Sequence, residues 1–336
     1  MRSFAPRGAV AIAAALAVVY VVWGSTYLGI AVALETLPPL LMAGVRFLVA
    51  GVLLYTVASR FGDRVGDRPG GRQWLAALLT GGPLFLLGNG GVVWAQQTVP
   101  SGIAALLVAT VPLWIALLDR VLFGSRLSWR AVAGLVLGFG GVALFVVPGG
   151  SGRVDPTGAL ILVGASLAWA VGSLLSRTAA LPKRLLVTAA MQMIAGGTLL
   201  LLVGLVTGEV GSVRLETLSA RSVLALAYLI LFGSLVAFSS YAWLLRAART
   251  SLAATYAYVN PVVAVALGWA LLGEGITPRT LAGGAVILVA VVLIVSAPVR
   301  RPAQEAARSP SAASPEAARL HIVPSTSGRP AAKASP

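Results

Sequence analysis

Long apolar stretches separated by short polar segments run along almost the whole chain. A helix rises about 1.5 Å per residue, so roughly 20 apolar residues cross a hydrocarbon core about 30 Å thick. The pattern predicts ten transmembrane helices, which we place near Ala9–Ala31, Leu40–Ser59, Trp74–Ala95, Ser101–Leu122, Ala131–Val147, Gly158–Ser176, Leu185–Val206, Val223–Leu244, Ser251–Leu272 and Leu281–Ala297.

The apolar pattern occurs twice along the chain. Ser101–Gly124 and Thr250–Gly273 align without a gap at an offset of 149 residues (250 − 101). A nearby offset of 146 residues (192 − 46) aligns Leu40–Leu54 with Leu186–Leu200. The two registers pair Trp23 with Trp169, Trp94 with Trp243, Ala104 with Ala253, Ala105 with Ala254, Pro112 with Pro261, Gly124 with Gly273, Arg130 with Arg279 and Gly134 with Gly283. The chain therefore contains two repeats of five predicted helices, over residues 9–148 and 157–297.

The composition agrees with a membrane protein. Hydrophobic residues make up 58% of the chain, charged residues only 10%, and the mean hydropathy is +0.92, whereas soluble domains carry about 25% charged residues. We predict an all-α integral membrane protein. Residues 299–336 differ, because they are rich in Ala, Pro, Ser and Arg and cannot build a core, so we expect a disordered cytoplasmic tail. His321 lies in this tail and is assigned no role.

The net charge of +15 comes from basic residues between the predicted helices. With the N-terminus inside, 16 of them fall on the cytoplasmic side and four on the other, which matches the positive-inside rule. Because these residues cap separate helices and form no single stripe, nucleic acid is not an expected partner. Five helices per repeat is an odd number, so the second repeat enters the membrane from the opposite side, as in many transporters. The cytoplasmic set is Arg2, Arg7, Arg60, Arg64, Arg68, Arg72, Arg120, Arg126, Arg130, Arg177, Lys183, Arg184, Arg246, Arg249, Arg300 and Arg301, and the outer set is Arg153, Arg214, Arg221 and Arg279.

Catalytic groups are missing from the predicted spans. Membrane enzymes need paired carboxylates, a serine with a base, or His and Glu metal ligands, and the spans offer none of these. The chain has no cysteine, so it forms no disulfide and no thiolate metal site. Asp119 and Arg120 are interpreted as interfacial residues at a helix end. We therefore predict neither an enzyme nor a bound metal or cofactor.

Arg46 is the charge that the sequence places well inside a span. A buried guanidinium costs at least a few kcal/mol, so it must face the bundle interior or a wet cavity. It either clamps carbonyl groups of a broken neighbouring helix or contacts substrate, and the sequence does not separate the two. In the second repeat the position aligned with Arg46 is Gln192, which is polar but neutral.

Two prolines predict kinks in the fourth and ninth spans. Pro112 and Pro261 each free a carbonyl in the preceding turn, and such gaps are tolerated where they line a cavity. Polar residues close to these kinks, or in the third and eighth spans, are therefore cavity candidates. With Arg46 and Gln192, the predicted cavity set is Asn89, Ser239, Tyr241, Tyr256, Tyr258 and Asn260.

Two further residue types have less specific patterns. Trp23, Trp94, Trp169 and Trp243 are interpreted as interfacial anchors in preference to ligand platforms. Gly134 with Gly138, and the pair Gly283-Gly284, are small-residue faces that let helices approach closely. They indicate packing helices or the face of a homodimer.

Several motifs together resemble one family. WGSTYL at Trp23, PPLLMAGVRFLVAG at Pro38, GNG at Gly88, VPSGIAALLVATVPL at Val99, and ATYAYVNPVVAVALG at Ala254 with Gly273-Glu274 after it are similar to the EamA family of the drug/metabolite transporter superfamily, with the YedA-like inner-membrane permeases as the nearest subgroup. The resemblance implies two inverted five-helix repeats, alternating access and export of metabolites, amino acids or drugs. Members often carry an acidic residue before the VPSG motif, where this chain has Gln96 and Gln97.

The sequence thus predicts a secondary transporter of small solutes, an exporter in a bacterial plasma membrane with both termini in the cytoplasm. The alternatives are a channel, which would need a ring of carbonyls or like charges, and a membrane receptor, which would need a sizeable soluble domain. Without an Asp or Glu in mid-membrane, uniport and exchange both remain open.

Overall fold

The computed structural model describes residues 6–61, 69–146 and 155–296. Those residues form no strand, two short 3-10 helices (Glu209–Ser212 and Leu215–Thr217) and ten long helices. The long helices are α1 (Pro6–Ala33), α2 (Pro39–Phe61), α3 (Gly71–Ala95), α4 (Ser101–Phe123), α5 (Trp129–Val146), α6 (Pro156–Thr178), α7 (Leu185–Val206), α8 (Ala220–Ala247), α9 (residues 250–272) and α10 (Pro278–Val295).

The predicted spans coincide with these helices to within a few residues at each described end. Some predictions lie outside the described residues: the tail 299–336 with His321, the span ends at Val147 and Ala297, and the basic residues Arg2, Arg64, Arg68, Arg153, Arg300 and Arg301. Within the described residues, every helix except α9 is long and apolar enough to cross a membrane. The chain is an all-α, multi-pass membrane protein.

Side-chain contacts between helix ends define the two ends of the bundle. At one end Glu209 accepts hydrogen bonds from the N–H groups of Leu40 and Leu41, where α2 begins. Ser222 Oγ, at the start of α8, donates to the carbonyl of Val32 at 2.9 Å, where α1 finishes. This end holds Glu35, Asp155, Glu209, Glu216 and Glu274, and we call it the acidic end.

The opposite end is basic. Arg184 donates to the carbonyl of Ala58, and Arg177 pairs with Asp119 at 3.2 Å. It also holds Arg60, Arg72, Arg246 and Arg249, and we call it the basic end. Helix α1 runs toward the acidic end, whereas α6 starts there at its N-cap Asp155. The two repeats are therefore inverted.

The first helix of each repeat packs against helices of the other repeat. Helix α1 packs on α8 and α9, and α6 packs on α3 and α4. The second helices α2 and α7 pair along the middle of the bundle, and the fifth helices α5 and α10 pair at its side. The repeats are therefore joined by exchanged helices as well as by a shared interface.

Glycines bring the paired helices close together. A Cβ at Gly197 would lie 2.6 Å from the backbone nitrogen of Leu48, so α2 and α7 meet backbone to backbone. A Cβ at Gly134 or Gly141 of α5 would lie 2.7 or 2.8 Å from the side-chain Cγ1 of Ile294 or Ile287 of α10, so these helices are also closely packed. The small-residue face that suggested a homodimer is covered by α10 within the chain, so it supplies no dimer surface.

The third and fourth helices of both repeats are irregular. Helices α3 and α8 each contain an eight-residue π segment, Gly82–Asn89 and Leu229–Val236. Helices α4 and α9 are each broken by a two-residue turn, at Ala109–Thr110 and at Ala254–Thr255. The α4 break lies directly before Pro112, but α9 continues through Pro261. The kink expected at Pro261 therefore lies one to two turns earlier.

Carboxylates cap helix N-termini at the acidic end. Glu274 accepts from the N–H groups of Ser101 and Gly102 at 2.6 and 3.0 Å, which ties the loop after α9 to α4. Asp155 caps α6 itself, and the N–H groups of Gly158 and Thr157 hold the pKa of that carboxyl below its usual range. Anionic side chains are favoured at helix N-termini by the helix dipole.

Candidate substrate site

Arg46 lies inside the bundle on α2, seven residues from the start of the helix, or about 10 Å. It is 5% exposed. Its Nε donates to Oγ of Ser234 in the π segment of α8 at 3.1 Å. The terminal guanidinium nitrogens make no hydrogen bond within residues 6–61, 69–146 and 155–296, and no carboxylate in those ranges pairs with the group. The side chain is therefore a buried cation with its bidentate edge unused.

Helix α1 brings a second group of side chains to the same π segment. Trp23 Nε1 donates to the carbonyl of Gly233 at 3.1 Å. A Cβ at Gly233 would lie 3.0 Å from Cγ2 of Thr26 and 3.2 Å from Nη2 of Arg46. Two tyrosines, Tyr27 of α1 and Tyr228 of α8, lie near the guanidinium. Helices α1, α2 and α8 thus converge on Gly233-Ser234.

An aromatic wall continues from this point toward the basic end. The Trp23 ring contacts Tyr241 and Phe238 of α8 and Tyr256 of α9, with ring centroids 5.0 to 5.2 Å apart. Tyr241 and Tyr256 also meet edge to face at 5.3 Å. Aromatic rings in these geometries attract one another beyond their burial, so the wall is a fixed surface.

Two buried amide oxygens beside α1 have no hydrogen-bond partner among the residues that the structure describes. Asn260 lies one turn beyond Tyr256 on α9, and its backbone carbonyl approaches Gly24; its Oδ1 is unpaired. Gln96, at the end of α3, donates from Nε2 to the carbonyl of Tyr27 at 3.0 Å, and its Oε1 is unpaired. A buried acceptor without a partner costs free energy, which a ligand with an N–H donor would recover.

The other polar residues predicted from the sequence lie in the opposite half. Gln192 of α7 donates to Oγ1 of Thr80 at 2.8 Å and to Oγ of Ser176 at 2.9 Å, so it joins three helices. Asn89 donates from Nδ2 to the carbonyl of Leu84 within the π segment of α3, at 3.1 Å. Their donors already serve the fold, and the structure does not bring these residues to Arg46.

The remaining predicted residues are less directly placed. Ser239 and Tyr258 are half-buried and make no hydrogen bond with described residues. Tyr258 packs against the main hydrophobic core. Pro112 and Pro261 shape α4 and α9 without contributing a polar atom to the Arg46 cluster.

Sequence reasoning missed four residues of this cluster. Trp23 and its counterpart Trp169 lie inside the bundle, so they are not interfacial anchors, whereas Trp94 and Trp243 are exposed. Tyr27, Tyr228 and Ser234 were not predicted. The mid-helix position of the polar WGSTYL run could have indicated Trp23 and Tyr27, but nothing local marks Tyr228 or Ser234.

A cavity of about 450 Å³ opens separately at the acidic end. The loops after α1 and α7 and the end of α3 form its walls. None of the predicted site residues lines it. Its lining is Leu34, Glu35, Thr36, Leu37, Pro38, Pro39, Trp94, Gln97, Glu209, Ser212 and Thr217. Because loops at the acidic end line this cavity, it is an entrance vestibule and is distinct from the buried site around Arg46.

The fold and this buried site define a multi-pass membrane protein of the transporter class. Its two inverted repeats enclose a polar and aromatic site away from both ends, which is the arrangement that secondary transporters use. Part of the chain beyond the helices is not described, but within the described ranges no three His, Cys, Asp or Glu side chains form a metal-binding group.

The chain belongs to the EamA-like transporter family. The family model matches twice, over residues 10–147 and 156–296. The resemblance seen in the sequence is thereby confirmed, together with its transporter assignment.

Individual proteins that are similar to this chain support the same family assignment. The chain is 41% identical over 282 residues to the "Uncharacterized inner membrane transporter YedA" of Escherichia coli strain K12, covering 83% of this chain and 89% of that protein. It is 31% identical to the "Probable terminal-alkyne amino-acid exporter" of Streptantibioticus cattleyicolor, covering 83% and 92%. A solved crystal structure with 20% sequence identity has the same fold, with a TM-score of 0.58 over 86% of this chain and 97% of the other.

Proposed function

We propose that this protein is a secondary transporter that exports small solutes carrying a carboxylate, by alternating access. The observation that carries this proposal is the buried guanidinium of Arg46, which has no carboxylate partner in the described chain. In a low-dielectric interior, such a group favours a bidentate anionic ligand. A solute carboxylate would supply the charge that the protein omits.

The neighbouring groups refine the proposed solute. The aromatic wall of Trp23, Tyr241 and Tyr256 suits an apolar or aromatic side chain. The unpaired oxygens of Asn260 and Gln96 suit an N–H donor such as an ammonium group. Together these groups fit a zwitterion. Two relatives, from Streptantibioticus cattleyicolor and Salmonella typhimurium, have names that mention amino acids, which are compounds of that class.

Alternating access is supported by an asymmetry between the two ends. At the acidic end, Glu274 ties the loop after α9 to the start of α4, and Glu209 ties the loop after α7 to the start of α2. The repeat counterpart of Glu274 at the basic end is Ser125 (274 − 149), which cannot form a charged cap. Two carboxylate latches therefore tie loops to helix starts at the acidic end, and we expect wider opening of that end to require their release.

The proposed location is the bacterial inner membrane, with both termini in the cytoplasm and the acidic end facing outward. The excess of basic residues at the basic end supports this orientation, and the Escherichia coli relative is named an inner membrane transporter. The expected partners are the lipid bilayer and the solute, and we expect neither nucleic acid nor a cofactor. A homodimer would have to use a surface other than the covered face of α5.

The test is transport by the purified protein in proteoliposomes. Counterflow of L-amino acids is compared with counterflow of their C-terminal amides, which keep the ammonium group and lose the carboxylate. We expect the carboxylates to be preferred, Arg46→Lys to reduce that preference, and Arg46→Gln to shift it toward the amides. Equal transport of both series by the native protein would refute the carboxylate proposal.

Melting temperature is measured on the same variants to separate binding from folding. If Arg46 only clamps α8, Arg46→Lys and Arg46→Gln should lose stability and transport in parallel for every solute. A matched control is Gln192→Ala, which removes the repeat counterpart of Arg46 and its bonds to Thr80 and Ser176. That control should lower stability without changing the preference.

A further inference from the structure

We propose that Gly233 and Ser234 are positioning residues that fix the guanidinium and the indole of the substrate site relative to each other. Ser234 accepts from Nε of Arg46, and the carbonyl of Gly233 accepts from Nε1 of Trp23, both at 3.1 Å. Two consecutive residues of α8 thus hold the cation and the aromatic wall. This inference rests on the proposed function of Arg46.

The π segment explains how adjacent residues can serve two different helices. In a π segment the backbone bonds run from i to i+5, which leaves carbonyls poorly matched to the normal helix ladder, and such segments occur often at functional sites. Gly233 lies in the middle of Leu229–Val236, and both it and Ser234 are buried. Its carbonyl is available to Trp23, while the next side chain reaches Arg46.

Ser234 bonds Nε of the Arg46 guanidinium and not a terminal nitrogen, and this affects which ligands the guanidinium can bind. Ser234 engages Nε and leaves the terminal nitrogens unbonded to described residues. A guanidinium held by Nε keeps its end-on fork for a carboxylate. Gly233 provides the space, since a Cβ there would lie 3.2 Å from Nη2. Ser234 therefore determines which edge of Arg46 faces a ligand.

The other repeat lacks this arrangement. The π segment of α3, Gly82–Asn89, contains no hydroxyl side chain. Its neighbour Gln192 is held by Thr80 and Ser176, which lie outside that segment. The positioning pair therefore exists once among the described helices.

A double-mutant cycle tests the proposal. Arg46→Lys, Ser234→Ala and the double variant are compared by counterflow of L-amino acids and their C-terminal amides. We expect Ser234→Ala to raise KM for the amino acids roughly tenfold with little change for the amides. In the Arg46→Lys background the same substitution should have almost no effect. Lysine has neither the Nε–H group that Ser234 accepts from nor a planar pair of terminal nitrogens to orient. Ser234→Thr, which keeps the hydroxyl, should restore the preference.

The control is Ser176→Ala, which removes a hydroxyl that holds Gln192, the repeat counterpart of Arg46. It should leave the ratio of KM values for acid and amide unchanged. If Ser234→Ala lowers transport of both series equally, or if its effect is the same in the Arg46→Lys background as in the native protein, Ser234 has only a structural role. A native protein that shows no preference for the carboxylate would refute the proposed function itself, whereas a preference that survives Ser234→Ala refutes only this inference.

Discussion

The hydroxyl groups of Thr110 and Thr255 close the two helix breaks in the same way. Each donates to the carbonyl three residues earlier, Leu107 or Leu252, at 2.6 Å. The first helix of the other repeat adds a hydrogen bond at each break. Ser166 of α6 donates to the carbonyl of Leu107, and the hydroxyl of Tyr20 of α1 bonds the hydroxyl of Thr255. The threonines are 145 residues apart (255 − 110), although the ends of α4 and α9 align at 149 (272 − 123). The α9 break is therefore displaced by one turn.

This displacement predicts different effects for the two prolines. Pro112 is among the first two residues of the second α4 segment, where its missing N–H would be unbonded anyway. Pro261 lies inside Tyr256–Leu272 and leaves the carbonyl of Ala257 without its usual donor. Pro261→Ala should raise the free energy of unfolding by about 1–3 kcal/mol and slow the exchange between the inward and outward states. Pro112→Ala should do neither. Melting temperatures and counterflow rates check this, and equal effects of both variants would contradict it.

Packing of α5 predicts opposite effects of alanine at two of its glycines. A Cβ at Gly138 would overlap Cδ2 of Leu113, whose side chain is fully buried and has no room to move. Gly138→Ala should cost about 1–3 kcal/mol. Gly140, on the same helix, has no atom within 4 Å of the corresponding Cβ, so Gly140→Ala should be neutral or slightly stabilising. Thermal unfolding in detergent distinguishes them, and a stable Gly138→Ala variant would argue against the described packing.

The Glu274 latch predicts a change in accessibility at the acidic end. Glu274→Gln removes the negative charge that two N–H groups of α4 share, and hydrogen bonds to charged groups contribute about 1.5–3 kcal/mol. A cysteine in place of the buried Ile103 should then react about ten times faster with a water-soluble maleimide, since 1.4 kcal/mol corresponds to a factor of about ten. The matched control is Glu216→Gln, an exposed carboxylate at the same end. If both variants label Ile103→Cys at the native rate, Glu274 does not hold this end closed.

Orientation is tested on intact cells with single cysteines in this cysteine-free chain. Gly275 lies in the loop between α9 and α10, and Gly71 begins α3 at the basic end; neither has an atom within 4 Å of an added Cβ. A membrane-impermeant maleimide should label Gly275→Cys and spare Gly71→Cys until the cells are opened. The reverse pattern would place the acidic end in the cytoplasm and overturn the proposed direction of export.

The sequence predicted the fold well because hydrophobic length and repetition are local or periodic signals. Helix positions, repeat register and inversion follow from these signals and from the odd number of helices. The exchange of α1 and α6 between repeats was not predictable, because apolar surfaces of similar composition do not specify their partner. The π segments were missed for a related reason, since their sequences, such as Gly82–Asn89, are as apolar as ordinary helix.

The site was predicted only in part. Arg46 could be identified because a charge in an apolar span must have a partner or a function. Gln192 and Asn89 carry similar polarity, but their donors are used by nearby groups of the fold, and a hydrogen-bond partner as distant in sequence as Thr80 is from Gln192 cannot be read from a pattern. The Trp23 indole was assigned to the interface by its type, although its contact with Gly233 places it inside.

The exchanged first helices have a consequence for how the halves of the chain can exist. A polypeptide holding only the first five helices would lack the partner on which α1 packs, and one holding the last five would lack the partner of α6. Chains cut between the halves should therefore accumulate and resist proteolysis only when both are produced in the same cell.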